Sequence, residues 1–247
     1  YLERLSKTIQ QVLSTTGRLK QSVAGSSFDA WTKYYVMDEN SPNTVVSYYA
    51  KGSLIALALD LMIRDFTQHQ QSLDDVMRCL WNKHGDIHHI PPGLKEDGFK
   101  EIVLEAIGAG FTSLWNQFEK RYIYGTEDLP LQALFLSNHH RLVEQSLPLS
   151  EIVLKRLGIR TTNQESWVKV THVMDDGGAL LAGIAAGDLL VSINRERITP
   201  SNLNSLLERF AGQSFKLQVF RQDILHECSV KKDERLFSKW QIQAATP

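Results

Sequence analysis

The apolar positions change period once along the chain. Up to about residue 147 they recur at helical spacing, and beyond it they come in short runs of β type. "YLERLSKTIQQVL" puts Leu2, Leu5, Ile9, Val12 and Leu13 on one helix face, as a helix already under way at Tyr1. A turn-rich link, "STTGRLKQSVAGSS", follows. "SFDAW" then reads as a short helix with Ser27 as its N-cap. "YYVMDENSPNTVVS" is a loop, marked by Asn40, Ser41, Pro42 and Asn43. "VSYYAKGSLIALALDLMIRD" is the most apolar helix, about five turns long. "SLDDVMRCLWNKHG" is a helix with Ser72 capping, Asp74 and Asp75 in its first turn, and Gly85 as its stop. "HHIPPGLKED" is loop, and "GFKEIVLEAIGAG" and "FTSLWNQFEKRYIYG" are two further helices.

After "QSLPLSE" the strand-type runs are "WVKVTHVM", "DLLVSINRERI" and a hairpin in "SFKLQVFRQDILHECSVKK". Helical stretches lie near "GALLAG" and "SNLNSLLERFAG". Short strands with two helices in about 85 residues predict a small, partly open β-barrel or sandwich. The fold class expected is therefore α + β multidomain: a helical unit over 1–147, a strand-rich unit over 148–235, and a C-terminal tail over 236–247.

Composition narrows the function classes. The 247 residues hold 27 basic and 28 acidic side chains, a formal net charge of -1. That balance gives no electrostatic reason to expect nucleic acid or an anionic membrane as a partner. The apolar run from Gly52 to Ile63 is interrupted by Asp60 and falls short of the roughly 20 residues that span a bilayer. Cys79 and Cys228 lie far apart in apolar-periodic segments and read as free thiols. The expectation is a soluble piece of a longer protein, cytoplasmic or periplasmic, with any targeting segment upstream.

"GGALLAGIAAGDLLVSINRERI" (177–198) is the most family-specific string. Gly187-Asp188 is a tight turn into a strand in which Leu189, Val191 and Ile193 alternate with Leu190, Ser192 and Asn194. The string resembles the core of a PDZ domain, with Arg195 where that pattern carries glycine. A PDZ domain takes up extended peptide ends by strand addition, a backbone nest holding the terminal carboxylate. The resemblance implies such a loop at Leu157, Gly158 and Ile159, within "RLGI", with a C-terminal peptide as its ligand. For Gly158 a tight turn is the plain alternative.

"SFDAWTKYY…DENSPNTVVSYYAKGSLIALALDLMIR" with "SLDDVMRCLW", and "FRQDIL" (220–225) later, resembles one peptidase family over roughly residues 1–233. It is the glycyl aminopeptidase-like zinc metallopeptidases, which have a thermolysin-like catalytic domain followed by a PDZ domain. The resemblance implies that the helical unit is the C-terminal part of that catalytic domain. In related aminopeptidases a "YEKG" string precedes the same apolar helix, and its tyrosine donates a hydrogen bond to the tetrahedral intermediate. Tyr49-Ala50-Lys51-Gly52 holds that place. The resemblance therefore implies Tyr49 as the catalytic donor, with Tyr48 as the second choice. Adjacent helical residues are expected to point apart, so one of the two could be an ordinary half-buried aromatic. Lys51 reads as a structural or surface charge, and Gly52 as a site of close backbone approach. Asp38, Glu39, Asn40 and Asn43 either rim a cleft that recognises an α-amino group or are solvated turn residues.

The family's zinc site is an "HExxH" helix with a further Glu on a later helix. None of the eight histidines begins that motif. His226-Glu227 is followed by Val at 230 in a strand run. His84 and His88 have helical spacing, but Gly85 and Pro91 surround them; His88-His89 and His139-His140 are loop pairs. No metal ligand is assigned, and zinc is expected only in the parent protein. The expected function is thus the C-terminal portion of a zinc metallo-aminopeptidase acting on peptides with small N-terminal residues. The rival is a non-catalytic helical plus PDZ adaptor that binds peptides.

Overall fold

The computed structural model describes residues 1–85, 93–95, 98–147, 151, 155–175, 177–231 and 238–244. Helices and strands are both present, in two separate buried cores. The helical unit begins with α1 (Leu2–Leu13), whose Ile9 and Val12 are buried. A 3-10 turn (Thr16–Leu19) and α2 (Val23–Phe28) follow. The N-cap of α2 is Ser22, whose hydroxyl accepts from the Gly25 N–H at 3.0 Å. Ser27 lies inside the helix, which corrects the expected start at "SFDAW". A π-helical turn (Ala30–Tyr34) comes next, then a short helix α3 (Ser41–Thr44) within the stretch expected to be loop.

The apolar stretch is α4 (Tyr48–Phe66), with Ser47 as N-cap. The segment Ser41–Phe66 is long and apolar enough to cross a membrane by composition alone. Its Leu54, Ile55, Ala58, Leu59 and Ile63 are instead buried in the first core. Asp60, which interrupts the apolar run, accepts from the Leu73 N–H at 2.9 Å and from Arg64 Nε at 2.8 Å. It thereby ties α4 to the start of α5 (Leu73–His84). The α5 capping box is complete, Ser72 and Asp75 each bonding the other's backbone end. α6 (Gly98–Ile107), α7 (Thr112–Phe118), a second π turn (Glu119–Ile123) and α8 (Leu131–Ser137) close the helical part.

Two strands complete this first core. β1 (His140–Ser146) pairs antiparallel with β8 (Ser238–Ala244), from His140↔Ala244 to Ser146↔Ser238. Residues 238–244, expected from sequence to be tail, are thus a strand. β8 lies on α1: the Ile242 N–H donates to Ser6 Oγ at 3.1 Å and the Trp240 N–H to Gln10 Oε1 at 3.2 Å. Leu142 and Ile242 are buried in the same core.

Between β1 and β8 sits the strand-rich unit: β2 (Ile159–Gln164), β3 (Trp167–Val173), α9 (Gly178–Leu181), β4 (Leu189–Ile193), β5 (Glu196–Arg197), α10 (Leu203–Arg209), β6 (Phe215–Arg221) and β7 (Ile224–Val230). The sheet order is β2-β3-β4-β6-β7, with β5 on β4, all antiparallel. A register irregularity between Leu190 and Ser192 buries both Ser192 and Ile193, so the strict alternation expected for β4 breaks there. Arg195 takes φ +74°, a left-handed turn position that glycine ordinarily fills. Its neighbour Asn194 anchors the turn through bonds in both directions with the Lys216 backbone, each 2.8 Å. The Gly187-Asp188 turn is fixed by a fully buried carboxylate. Asp188, 0% exposed, accepts from the Ala185 N–H at 2.9 Å and from Arg221 Nε and Nη2, each at 2.8 Å. Cys79 and Cys228 are both free thiols.

Candidate functional site

Five aromatic residues gather where α4 begins. The π-helical turn over Ala30–Tyr34 carries Trp31 and Tyr34, and Tyr35 is its C-cap. Tyr48 and Tyr49 are the first two residues of α4. Helical side chains lean toward the N-terminus, and the first turn has no preceding turn to hold them apart. The two rings accordingly lie side by side, centroids 4.2 Å apart, rather than diverging as adjacent helical residues are expected to. Tyr34 packs edge-on to Tyr48 at 5.1 Å and tilted to Tyr49 at 6.0 Å, and Trp31 lies 5.2 Å from Tyr35. Tyr34 OH also meets the α4 N-cap, Ser47 Oγ, at 3.0 Å. Helix start and cluster therefore hold each other.

Three hydroxyls form a chain. Tyr35 OH lies 2.8 Å from Tyr48 OH and 2.9 Å from Tyr49 OH. Three hydroxyls bring three protons, and two internal bonds consume two of them. With Tyr48 donating to Tyr35 and Tyr35 to Tyr49, the third proton is on Tyr49, which is 60% exposed. The acidities run the same way. Tyr48 is pushed above the ordinary tyrosine range by its bonds to Tyr35 and Tyr49. Tyr49 is held below it, because Tyr35 first and Tyr48 second stabilise its anion. Trp31 of the cluster is exposed, as are Phe28, Val36 and Met37 close by in sequence, which leaves apolar side chains open to solvent here.

Lys51 faces the other way. It is 1% exposed, and its Nζ donates to the Arg18 carbonyl at 2.9 Å. Gly52 has open space: a Cβ there would meet only the Val23 side chain at 3.9 Å, so close backbone approach does not explain it. Asp38, Asn40 and Asn43 are engaged within the fold. Asp38 accepts from Ser41 Oγ at 2.8 Å and the Asn40 N–H at 3.0 Å, bonds that hold its carboxyl below the usual range. Asn43, 2% exposed, donates to Asn40 Oδ1 at 2.9 Å and bridges to the strand-rich unit, while Glu39 is exposed.

Leu157 and Ile159 are buried in the second core. Gly158 takes φ +66°, and a Cβ there would come within 2.5 Å of Gly177 Cα, so the glycine is required. Its N–H donates to the Lys155 carbonyl at 3.1 Å and its carbonyl accepts from the Met174 N–H at 2.7 Å. A small depression of about 20 Å³ lies beside it, lined by Arg156, Leu157, Phe210, Phe215 and Val230 among others. Of the histidine pairs, His88-His89 lie outside the described residues. His139 stacks on His69 at 6.4 Å, and His140 Nδ1 bonds the Asn138 carbonyl at 2.8 Å. Among the described residues no group of three or more His, Cys, Asp or Glu is arranged to hold a metal. A zinc ion therefore has no ligand set in the described part of this chain.

Sequence reasoning singles out Tyr49 and Tyr48 but gives no part to Trp31, Tyr34 and Tyr35. The signal available was "WTKYY", whose tyrosine pair mirrors the one at 48–49.

Residues 1–55, which contain the whole aromatic cluster, match the family model of the M61 glycyl aminopeptidases. No curated protein sequence matches the chain. An aminopeptidase N family protein from Idiomarina loihiensis is similar over 100% of this chain and 43% of its own, at 30% identity and a TM-score of 0.84. This chain thus spans less than half of that protein. The PDZ domain of EpsC from Vibrio cholerae matches 31% of this chain and 95% of its own, at 18% identity and a TM-score of 0.26, too low to carry an inference. The chain is thus similar to the M61 glycyl aminopeptidases in sequence over residues 1–55, and to an aminopeptidase N family protein in fold over its whole length.

Proposed function

We propose that this chain is the C-terminal portion of a zinc metallo-aminopeptidase acting on peptides with small N-terminal residues such as glycine or alanine. The helical unit is the C-terminal part of a thermolysin-like catalytic domain and forms one wall of the cleft. Tyr49 is the hydrogen-bond donor to the oxygen that gains charge when the peptide carbonyl is attacked. The strand-rich unit is a PDZ-like domain, with Leu157, Gly158 and Ile159 as the loop facing a peptide's C-terminus. Zinc belongs to the whole protein, and no step assigned to this chain runs through it.

The observation that carries this reading is the row of three hydroxyls, Tyr48, Tyr35 and Tyr49, that ends at the exposed Tyr49. When Tyr48 donates to Tyr35 and Tyr35 to Tyr49, one proton at the exposed end is free to be donated. A fixed donor aimed at a developing oxyanion lowers the barrier by about 3 kcal/mol. Tyrosine suits the role because its hydroxyl stays protonated near neutral pH. A lowered pKa makes the Tyr49 hydroxyl a stronger hydrogen-bond donor. The exposed Trp31, Val36 and Met37 fit a cleft wall whose opposite side is another part of the protein.

The test is kinetic and uses the full-length protein. Tyr49→Phe should lower kcat about 100-fold or more with little change in KM. Tyr35→Phe should cost less, and should move the alkaline limb of the rate profile upward, toward the ordinary tyrosine value of 10.0. Unchanged kcat in Tyr49→Phe would remove Tyr49 from the site. Residues 1–247 alone with added zinc should show no turnover above blank.

A further inference from the structure

Among the described residues of the helical unit Lys51 is the most deeply buried charge, and its surroundings leave it incompletely paired. An ammonium carries three donors. Among the described residues only the Arg18 carbonyl accepts from it, at 2.9 Å. The nearby carboxylate, Asp128, is already engaged: its two oxygens meet Arg18 Nε at 2.9 Å and Nη2 at 3.1 Å. Two cations thus face one anion, and the surplus positive charge lies at Lys51. Beside it is a cavity of about 150 Å³, walled by Val12, Leu13, Leu54, Leu131, Leu142 and Trp240, with Asp128 and Gln132 also on its lining.

We propose that this cavity binds a short aliphatic monocarboxylate, its head accepting from Lys51 and its tail lying against Leu13, Leu142 and Trp240. The volume suits a ligand of roughly six to eight non-hydrogen atoms, since an apolar cavity of this size accommodates benzene. A carboxylate supplies the missing acceptor and cancels the surplus charge. An alkylammonium meets Lys51 with like charge, and a free amino acid brings a second ammonium against leucine walls. A neutral alcohol fits the walls but leaves the charge unmatched. Desolvation holds the Lys51 pKa below its ordinary value, which accords with an ammonium short of partners. The site is separate from the aromatic face, because Lys51 points into the core and Tyr49 out of it.

Sodium hexanoate is the probe, titrated into residues 1–247 and followed by calorimetry and by the Trp240 indole resonance. The expected result is saturable one-to-one binding. Hexan-1-ol should bind at least about tenfold more weakly, as a charge-assisted hydrogen bond implies, and hexylamine not measurably. Lys51→Met should weaken hexanoate by at least about tenfold. Leu13→Phe, which narrows the cavity without touching the charge, should also abolish binding. Absence of saturable binding, equal affinity for hexanoate and hexan-1-ol, or undiminished binding in either variant would overturn the proposal. If Lys51→Met does not fold, the alcohol comparison and Leu13→Phe decide it.

Discussion

Asn43 and Val173, 130 positions apart in sequence, are joined by a hydrogen bond of 2.8 Å from the Asn43 amide to the Val173 carbonyl. The Asn43 side-chain oxygen also accepts from the Asp175 N–H at 3.0 Å. A single buried amide thus satisfies both a donor and an acceptor at the end of β3, with Lys20 and Asp175 paired nearby. It fastens the strand-rich unit to the segment that leads into the tyrosine cluster. Asn43→Ala would strand both backbone groups and should lower stability by about 1–3 kcal/mol. Urea unfolding measures it, and an unchanged midpoint would mean that the bridge contributes nothing.

The return of β8 to the helical core has a direct consequence. Ile242 is buried against α1 and β1, so Ile242→Ala should cost about 2–5 kcal/mol. Hydrogen exchange should show the loss in α1 and β1 before the distant sheet. Equal loss in both units would argue that they unfold as one body.

In the second unit the fully buried Asp188 is paired with Arg221, whose side chain is 38% exposed. Arg221→Ala leaves the buried Asp188 without its main partner, and should destabilise by about 1–3 kcal/mol. Replacing both by leucine should cost less than the sum of the single changes, a coupling that a double-mutant cycle measures. Strict additivity would mean that the pair does not act as a pair.

Lys51 gives a pH signature. Its folded pKa lies below the ordinary 10.5, because burial disfavours the ammonium. Between the folded value and 10.5 the unfolded chain holds more protons than the folded one, so this lysine makes stability rise with pH in that window. Below the folded value its penalty is constant. Lys51→Met removes the rise, so any advantage of the variant should shrink as pH approaches 10.5. A stability difference independent of pH across that range would contradict the shift.

Much of the fold is legible where local chemistry decides. The α5 capping box, the body of α4 and the β6–β7 hairpin stand in the sequence as periodicity and turn residues. β8 is not legible, because "SKWQIQA" becomes a strand only by pairing with "HRLVEQS" far upstream and resting on α1. The start of α2 escapes a reading by residue type because "SVAGSSF" offers three serines, and only the geometry selects Ser22. At the candidate site the sequence points to one hydroxyl but not to the relay behind it. Tyr35 reaches Tyr48 and Tyr49 by way of a π-helical turn, and nothing in residue spacing announces a π turn. Lys51 looks like a helix-start charge, and its burial depends on Arg18 and Asp128, which arrive from other elements.

The β1–β8 ladder also fixes how the molecule carries force. Tension applied at the two ends of the chain passes from β8 into β1 and α1, and so through the helical unit. The sheet between them hangs off this path and bears no load while the ladder holds. Peeling would start at the His140–Ala244 pair, and the strand-rich unit would be stretched only after the last rung, Ser146 with Ser238, had opened.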